Sequence, residues 1–387
     1  MRIGLDARYL SHGILGGINS YLRNLLPALF EVAKDHKIFL YADTKRSFEL
    51  SELPENVVLR LLTYRNGFSS LYYDFNLKKA MAQDKLDIVH FPANYGFGPR
   101  GARSVITLHD EINIMPLGKI LYGHPKNIRT IVMMTYLHFC SSSAIRKADL
   151  VVTISEYARK QILDRSLLPE AKVIAIHHGR PLNVQKVFDV KELERVRQLH
   201  GINKEFALAD ALKNPGVLVR AWKLLPEEVR VDKEIIFFSR TENVKPDVHE
   251  AVAAGYAKFI LRPERNDLNA FYSMATVFVF PSWIEGFGIP LLEAMICGAP
   301  ILASDRGAIP EVLGNAGLVI DAEDDVALAH HLESLFANRE ERERLRRLGY
   351  SRVSQFTWKG SASRLLGAYK ELLAGHGFQS PNPSKTR

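Results

Sequence analysis

Short apolar runs alternate along this chain with longer segments in which apolar residues recur every three or four positions. The runs RIGLDA, KIFLYA, DIVHFP, SVITLHD and LVVTIS fall in the first half, and FALAD, EIIFFS, FILR, VFVFPS and PILASD in the second. Unbroken apolar runs suit parallel strands covered on both faces, and the helical periodicity between them suits the covering layers. After the first run, Ile18, Tyr21, Leu22, Leu25, Leu26 and Leu29 form one helical stripe, with Pro27 expected to kink it. The pattern predicts an α/β chain of two doubly wound, Rossmann-like domains. Residues 180–205 are polar and charged, with one amphipathic helix ending at Gly201, and read as the linker and first helix of the second domain. A helix over 361–375 precedes the polar tail HGFQSPNPSKTR, which is expected to be disordered.

With 387 residues and 47% hydrophobic content, the chain can bury two substantial cores. Cys140 and Cys297 lie far apart in apolar segments, so a reducing compartment is expected rather than a disulfide framework. Met1 leads directly into RIGLDA without a signal-peptide pattern, and no run approaches the roughly 18 apolar residues of a membrane span. A cytoplasmic location follows as an expectation, with any membrane contact peripheral, on the inner face. A net charge of +8 suits an anionic partner. The basic residues are dispersed and form no recognised nucleic-acid module, so nucleic acid is not expected. Residues 127–148 are apolar in the middle and basic at both ends, which fits a packed helix before LVVTIS or one lying on a membrane surface.

The densest chemistry lies in 277–300, VFVFPSWIEGFGIPLLEAMICGAP. A buried strand leads to Glu285, the turn Gly286, Phe287, Gly288, and a helix opened by Ile289 and Pro290. Glycines let backbone N–H groups approach a ligand closely, and a free helix N-terminus favours diphosphates and sugar oxyanions. Glu293 follows one turn inside, so two carboxylates bracket a donor-rich turn. Such a pair can accept hydrogen bonds from the hydroxyls of a transferred sugar and of a nucleotide ribose.

This segment resembles the signature of the large retaining GT-B glycosyltransferase family that includes bacterial mannosyl- and glucosyltransferases and sucrose synthase, the family 4-like enzymes. Its hallmark is two glutamates separated by seven residues around Gly-Phe-Gly, as at Glu285 and Glu293. The resemblance continues through ASDRGAIPEVLGNAGLVID at 303–321 and, more weakly, over most of 1–374. It implies two domains facing across a cleft: 1–179 for the acceptor, 180–358 for the nucleotide-sugar, with the helix 359–374 crossing back to the first domain before the tail 375–387.

The other candidates are strand-end residues. Gly16 and Gly17 open the helix after the first strand, either as plain loop glycines or, as the resemblance implies, close to donor phosphate and acceptor. His109 and Asp110 end SVITLHD; the resemblance places such a histidine beside the transferred sugar, and the aspartate could orient the imidazole. Asn94 and Tyr95 follow DIVHFP and could meet an acceptor or simply be loop residues. Lys213 and Asn214 match the family's phosphate-binding loop, but Ala209 or Asp210 replaces its glycine and Leu212 its arginine. Arg240 and Arg262, at the ends of neighbouring strands, are the candidates for the missing cation, with Arg262 slightly preferred. His177 and His178 read as a hinge contact rather than metal ligands, because no third ligand lies at a helpful spacing. Ser155 reads as a helix N-cap.

The resemblance implies a metal-independent, cofactor-free transferase moving a hexose, mannose or glucose, from a nucleoside-diphosphate-sugar to a glycan or lipid-linked acceptor. Glu285, His109 and Lys213 would be catalytic, and Gly286 to Ile289 with Glu293 would complete the donor site. The absence of an Asp-x-Asp triplet disfavours the metal-dependent transferase fold. The altered loop leaves a rival open, a non-catalytic nucleotide-sugar-binding or scaffold subunit.

Overall fold

The structure is a computed structural model that describes residues 1–11, 17–46, 53–64, 69–122 and 127–375. The chain divides into two compact units: Met1–Gly179 with the described residues from Thr357 onward, and Arg180–Phe356. Each is built on one parallel sheet.

In the first unit the strands are β1 (Arg2–Asp6), β2 (Lys37–Asp43), β3 (Val57–Leu62), β4 (Ile88–Phe91), β5 (Arg103–Thr107), β6 (Leu150–Thr153) and β7 (Val173–Ala175). Their spatial order is β3-β2-β1-β4-β5-β6-β7, all parallel. Alternate residues feed opposite faces, as a pleated strand requires. Ile3, Leu5, Ile38 and Leu40 join one core with the helices Gly17–Val32 and Trp358–Ala374, while Phe39, Tyr41, Val89 and Phe91 join the other. The helix Gly17–Val32 runs unbroken through Pro27.

The second unit holds β8 (Glu205–Asp210), β9 (Lys233–Ser239), β10 (Ala257–Leu261), β11 (Val277–Phe280), β12 (Ile301–Ser304) and β13 (Leu318–Ile320). The order β10-β9-β8-β11-β12-β13, all parallel, reverses direction between β8 and β11. Open α/β sheets bind ligands outside the carboxyl ends of their strands at such a reversal. Its helix Val190–His200 begins at Asp189 and ends at Gly201 in a left-handed C-cap, φ 62°.

The strand Val57–Leu62 had no counterpart among the expected strands; as an edge strand with half-exposed positions it lacks an unbroken apolar signature. The C-terminal helix begins earlier than expected, at Trp358 with Thr357 as its cap, and Gly375 is its C-cap rather than part of a tail. The remainder of the tail, 376–387, lies outside the described residues. Ser155 does cap Glu156–Ser166, its hydroxyl accepting from the Ala158 N–H at 3.0 Å.

Candidate functional site

In the second unit, β8 and β11 deliver their exits side by side. After β8 the chain folds back on itself: the Lys213 N–H donates to the Asp210 carbonyl (3.0 Å) and the Leu212 N–H to the Asp210 carboxylate (2.9 Å). Asn214 then adopts the left-handed conformation, φ 53°, which asparagine tolerates better than most residues. Its buried amide donates to the Pro281 carbonyl (3.0 Å) and the Ala322 carbonyl (2.8 Å), tying the β8 exit to the β11 exit and to the segment after β13. This anchoring aims Lys213 across the reversal point, and its Nζ lies 2.9 Å from Glu285 Oε2. Both side chains keep partial exposure, so a ligand can reach either.

Glu285 is itself held through its backbone. Gly307, φ 63°, packs so closely that a Cβ there would lie 2.4 Å from the Glu285 carbonyl oxygen. The Ala308 N–H donates to that same carbonyl at 2.9 Å. Gly288, φ 99°, precedes the helix Ile289–Cys297 with Pro290 in its first turn, and Phe287 is buried edge-on against Phe356. Gly286, Gly288 and Ile289 thus bring their backbone to a helix N-terminus beside the Lys213–Glu285 pair.

Glu293, on this helix, is buried and accepts from Arg265 Nη1 at 2.8 Å. Burial pushes its carboxyl above the ordinary range, and Arg265 and the field of Arg240 pull it back only in part. Asp210 is likewise raised by burial, against the Leu212 N–H, Lys213 and Arg240. The field of Arg240 therefore reaches two carboxylates of this strand-end cluster, Asp210 and Glu293. Arg262, φ 49°, instead turns its Nε onto the Arg240 carbonyl at 3.0 Å.

In the first unit, Asn94, φ 67°, accepts the His109 N–H on its side-chain oxygen at 3.1 Å. His109 Nε2 lies 2.9 Å from the Pro92 carbonyl, which can only accept, so Nε2 carries the proton and Nδ1 is the bare nitrogen. Burial lowers the His109 pKa and favours the neutral ring. Asp110 does not orient this imidazole: its carboxylate accepts the Ile112 N–H at 3.0 Å. Tyr21 from the helix Gly17–Val32 meets His109 edge-on and stacks on His178, ring centroids 5.1 and 4.9 Å apart. His177 and His178 form no metal cluster; among the described residues no group of three or more His, Cys, Asp or Glu side chains could hold a metal ion. Gly17 opens its helix, with nothing within 4 Å of a Cβ placed there, and Gly16 lies outside the described residues.

Comparison with known proteins separates along the same two units. Residues 15–184 match the family described as Glycosyltransferase Family 4, and residues 208–352 the family Glycosyl transferases group 1. The chain is a GT-B glycosyltransferase. This glycosyltransferase is 28% identical over 299 residues to O-antigen chain mannosyltransferase B of Escherichia coli, a match covering 75% of this chain and 76% of that one. Against three longer Escherichia coli mannosyltransferases the match spans only 33% to 35% of their length. Among solved structures, sucrose-phosphate synthase from Thermosynechococcus elongatus superposes with a TM-score of 0.67 at 20% identity, covering 97% of this chain and all of that one. Anabaena HepE in complex with UDP gives 0.66 at 15% identity, covering 96% and 99%. At these identities the structures speak for the fold.

Several residues that shape the strand ends of each unit were invisible in the sequence of this glycosyltransferase. Arg265 opens its helix after an ordinary Pro-Glu, and nothing local says that it reaches a glutamate 28 positions on. Gly307 reads as one glycine among 25, and Tyr21 as one more apolar stripe residue. No local signal distinguishes them, because their significance lies in contacts made by other elements.

Proposed function

We propose that this glycosyltransferase moves a hexose from a nucleoside-diphosphate-sugar to a glycan or lipid-linked acceptor, with retention at the anomeric carbon and without a metal or other cofactor. Mannose is the favoured sugar, on the strength of the mannosyltransferase relatives. The observation that carries the reading is the Lys213–Glu285 pair at 2.9 Å, set beside a glycine-opened helix N-terminus at the sheet's reversal point.

In this reading Glu285 accepts from the sugar's hydroxyls, the backbone from Gly286 to Ile289 donates to donor oxygens, and Glu293 holds the ribose. Lys213 binds the diphosphate. Arg240 supplies the cation that Leu212 does not, since its field already reaches Asp210 and Glu293. Arg262 holds the strand-end backbone from which Arg240 projects. As the bond from the anomeric carbon to the diphosphate oxygen breaks, its electron pair passes to the diphosphate, whose growing charge these cations and the helix dipole stabilise. The acceptor hydroxyl adds to the same face and gives its proton to the departing phosphate. Asn94, His109 and Asp110 are assigned to the acceptor side, where neutral His109 offers a bare Nδ1 as hydrogen-bond acceptor.

The test is Glu285→Gln, assayed for transfer from GDP-mannose and UDP-glucose. Transfer should fall about 10²- to 10³-fold, the scale of losing one electrostatic contact to a transition state, while thermal stability stays near that of the unsubstituted chain. Unchanged turnover would overturn the assignment. Nucleotide-sugars that raise the melting temperature of the unsubstituted chain without ever being turned over would instead establish a binding or scaffold subunit.

A further inference from the structure

Between β11 and Glu285 the chain carries two large apolar side chains that the fold leaves uncovered. Trp283 is 45% exposed and Ile284 59%. Exposed apolar residues are ordinary where the chain is loose, but this loop is tied down. The Pro281 carbonyl accepts from the Asn214 amide at 3.0 Å, and the Ser282 carbonyl from Ser304 Oγ at 2.6 Å. The Ile284 carbonyl accepts from Ser282 Oγ at 3.0 Å, and that of Glu285 from the Ala308 N–H at 2.9 Å. Carbonyls on both sides of Trp283 are therefore fixed. A ring presented from a held backbone gives up little freedom when it meets a ligand.

The neighbours say which ligand this is. Glu285, two positions on and paired with Lys213 at 2.9 Å, accepts in the reading above from the hydroxyls of the transferred sugar. A pyranose has a hydroxyl rim and a C–H face. The rim needs hydrogen-bonding groups, whereas the C–H face suits the electron-rich face of an indole. Ligand sites combine a few convergent polar groups with apolar and aromatic lining in this way. The groups assigned to the nucleotide end lie toward the other side of the sheet: Lys213 follows β8, Arg240 follows β9, and Arg265, the partner of Glu293, follows β10. The Trp283 loop instead follows β11 and is tied through Ser304 to β12.

We propose that Trp283, flanked by Ile284, is the platform on which the transferred hexose lies, its C–H face on the indole while Glu285 takes its hydroxyls. Trp283 is then a specificity-determining residue: it moves no proton and forms no bond, but it selects a ligand with a flat apolar face. The proposal rests on the assignment of the transferred sugar to Glu285.

The chain has three tryptophans, of which Trp222 and Trp358 are buried, so acrylamide quenching of its intrinsic fluorescence reports chiefly on Trp283. The nucleotide-sugar that is turned over, GDP-mannose or UDP-glucose, should remove most of that quenching, whereas GDP and UDP should leave it. Trp283→Ala should raise the KM for the nucleotide-sugar about tenfold, the scale of stacking one flat ring on an aromatic side chain. The Kd of GDP or UDP and the melting temperature should stay unchanged, and Trp283→Tyr should restore most of the affinity. An unchanged KM in Trp283→Ala, or quenching unaltered by a nucleotide-sugar that is bound and turned over, would overturn the platform and leave the Glu285 assignment standing. Protection by GDP or UDP alone would give the ring to the base, and protection by mannobiose alone would give it to an acceptor; either overturns the proposal. If no nucleotide-sugar binds the unsubstituted chain, the Glu285 assignment falls together with the platform.

Discussion

At Gly307 a Cβ would lie 2.4 Å from the carbonyl oxygen and 2.7 Å from the nitrogen of Glu285, and the backbone there has φ 63°. Backbone cannot swing aside as a side-chain tip can, so Gly307→Ala must displace Glu285 or strain the loop. Transfer should fall at least about tenfold while the chain still folds, with a stability loss of about 1–3 kcal/mol; steady-state kinetics and thermal melting would check both. The histidines of the first unit lead to a prediction about acid. Burial lowers His90 to about 3, lowers His109, and pushes His178 well below its ordinary value. Below about pH 6.5 the unfolded chain binds protons that these folded rings refuse, so stability is full above that pH and falls as pH drops toward the folded values. The slope should reach at most about 1.4 kcal/mol per pH unit for each histidine, measurable by urea titration between pH 7 and 5. At this scale Glu285, Glu293 and Lys213 were legible, since their spacing forms a local pattern. Arg265 and Gly307 were not, since each acts on a residue more than 20 positions away.

The C-terminal helix Trp358–Ala374 shows how an element can be legible while its role is not. Its apolar residues marked it as a packed helix, but its partners came from the fold. Leu365, Leu366, Tyr369 and Leu372 complete the core shared with the helix Gly17–Val32. The Tyr369 hydroxyl lies 2.6 Å from His90 Nδ1, while His90 Nε2 lies 2.7 Å from the Thr107 hydroxyl. Ending the chain after Phe356 would expose this core and strand a buried imidazole, at about 1–3 kcal/mol for the lost hydrogen bond alone. The truncated chain should lose the melting transition of the first unit while keeping that of the second; a product that melts with both transitions in place would contradict this. Strands buried on both faces announced themselves as unbroken apolar runs. The edge strand Val57–Leu62 did not, because one side of an edge needs no apolar cover.

For the whole molecule, two sheets with separate cores should unfold as two cooperative steps. If the donor binds at the β8–β11 reversal, UDP or GDP should raise one calorimetric transition and leave the other in place, by roughly 2.7 kcal/mol at a hundredfold excess over Kd. Movement of both transitions together would contradict independent stability. The sequence by itself determined the parallel α/β class, its twofold occurrence and the two-glutamate turn, because burial on both faces, helical periodicity and glycine conformation are local properties. Only the tertiary structure decided that Lys213 meets Glu285, that Arg265 meets Glu293, and that Pro92 rather than Asp110 fixes the His109 ring. These are meetings between strand ends and helices distant along the chain, and no local pattern encodes which side chains the sheet order will bring together.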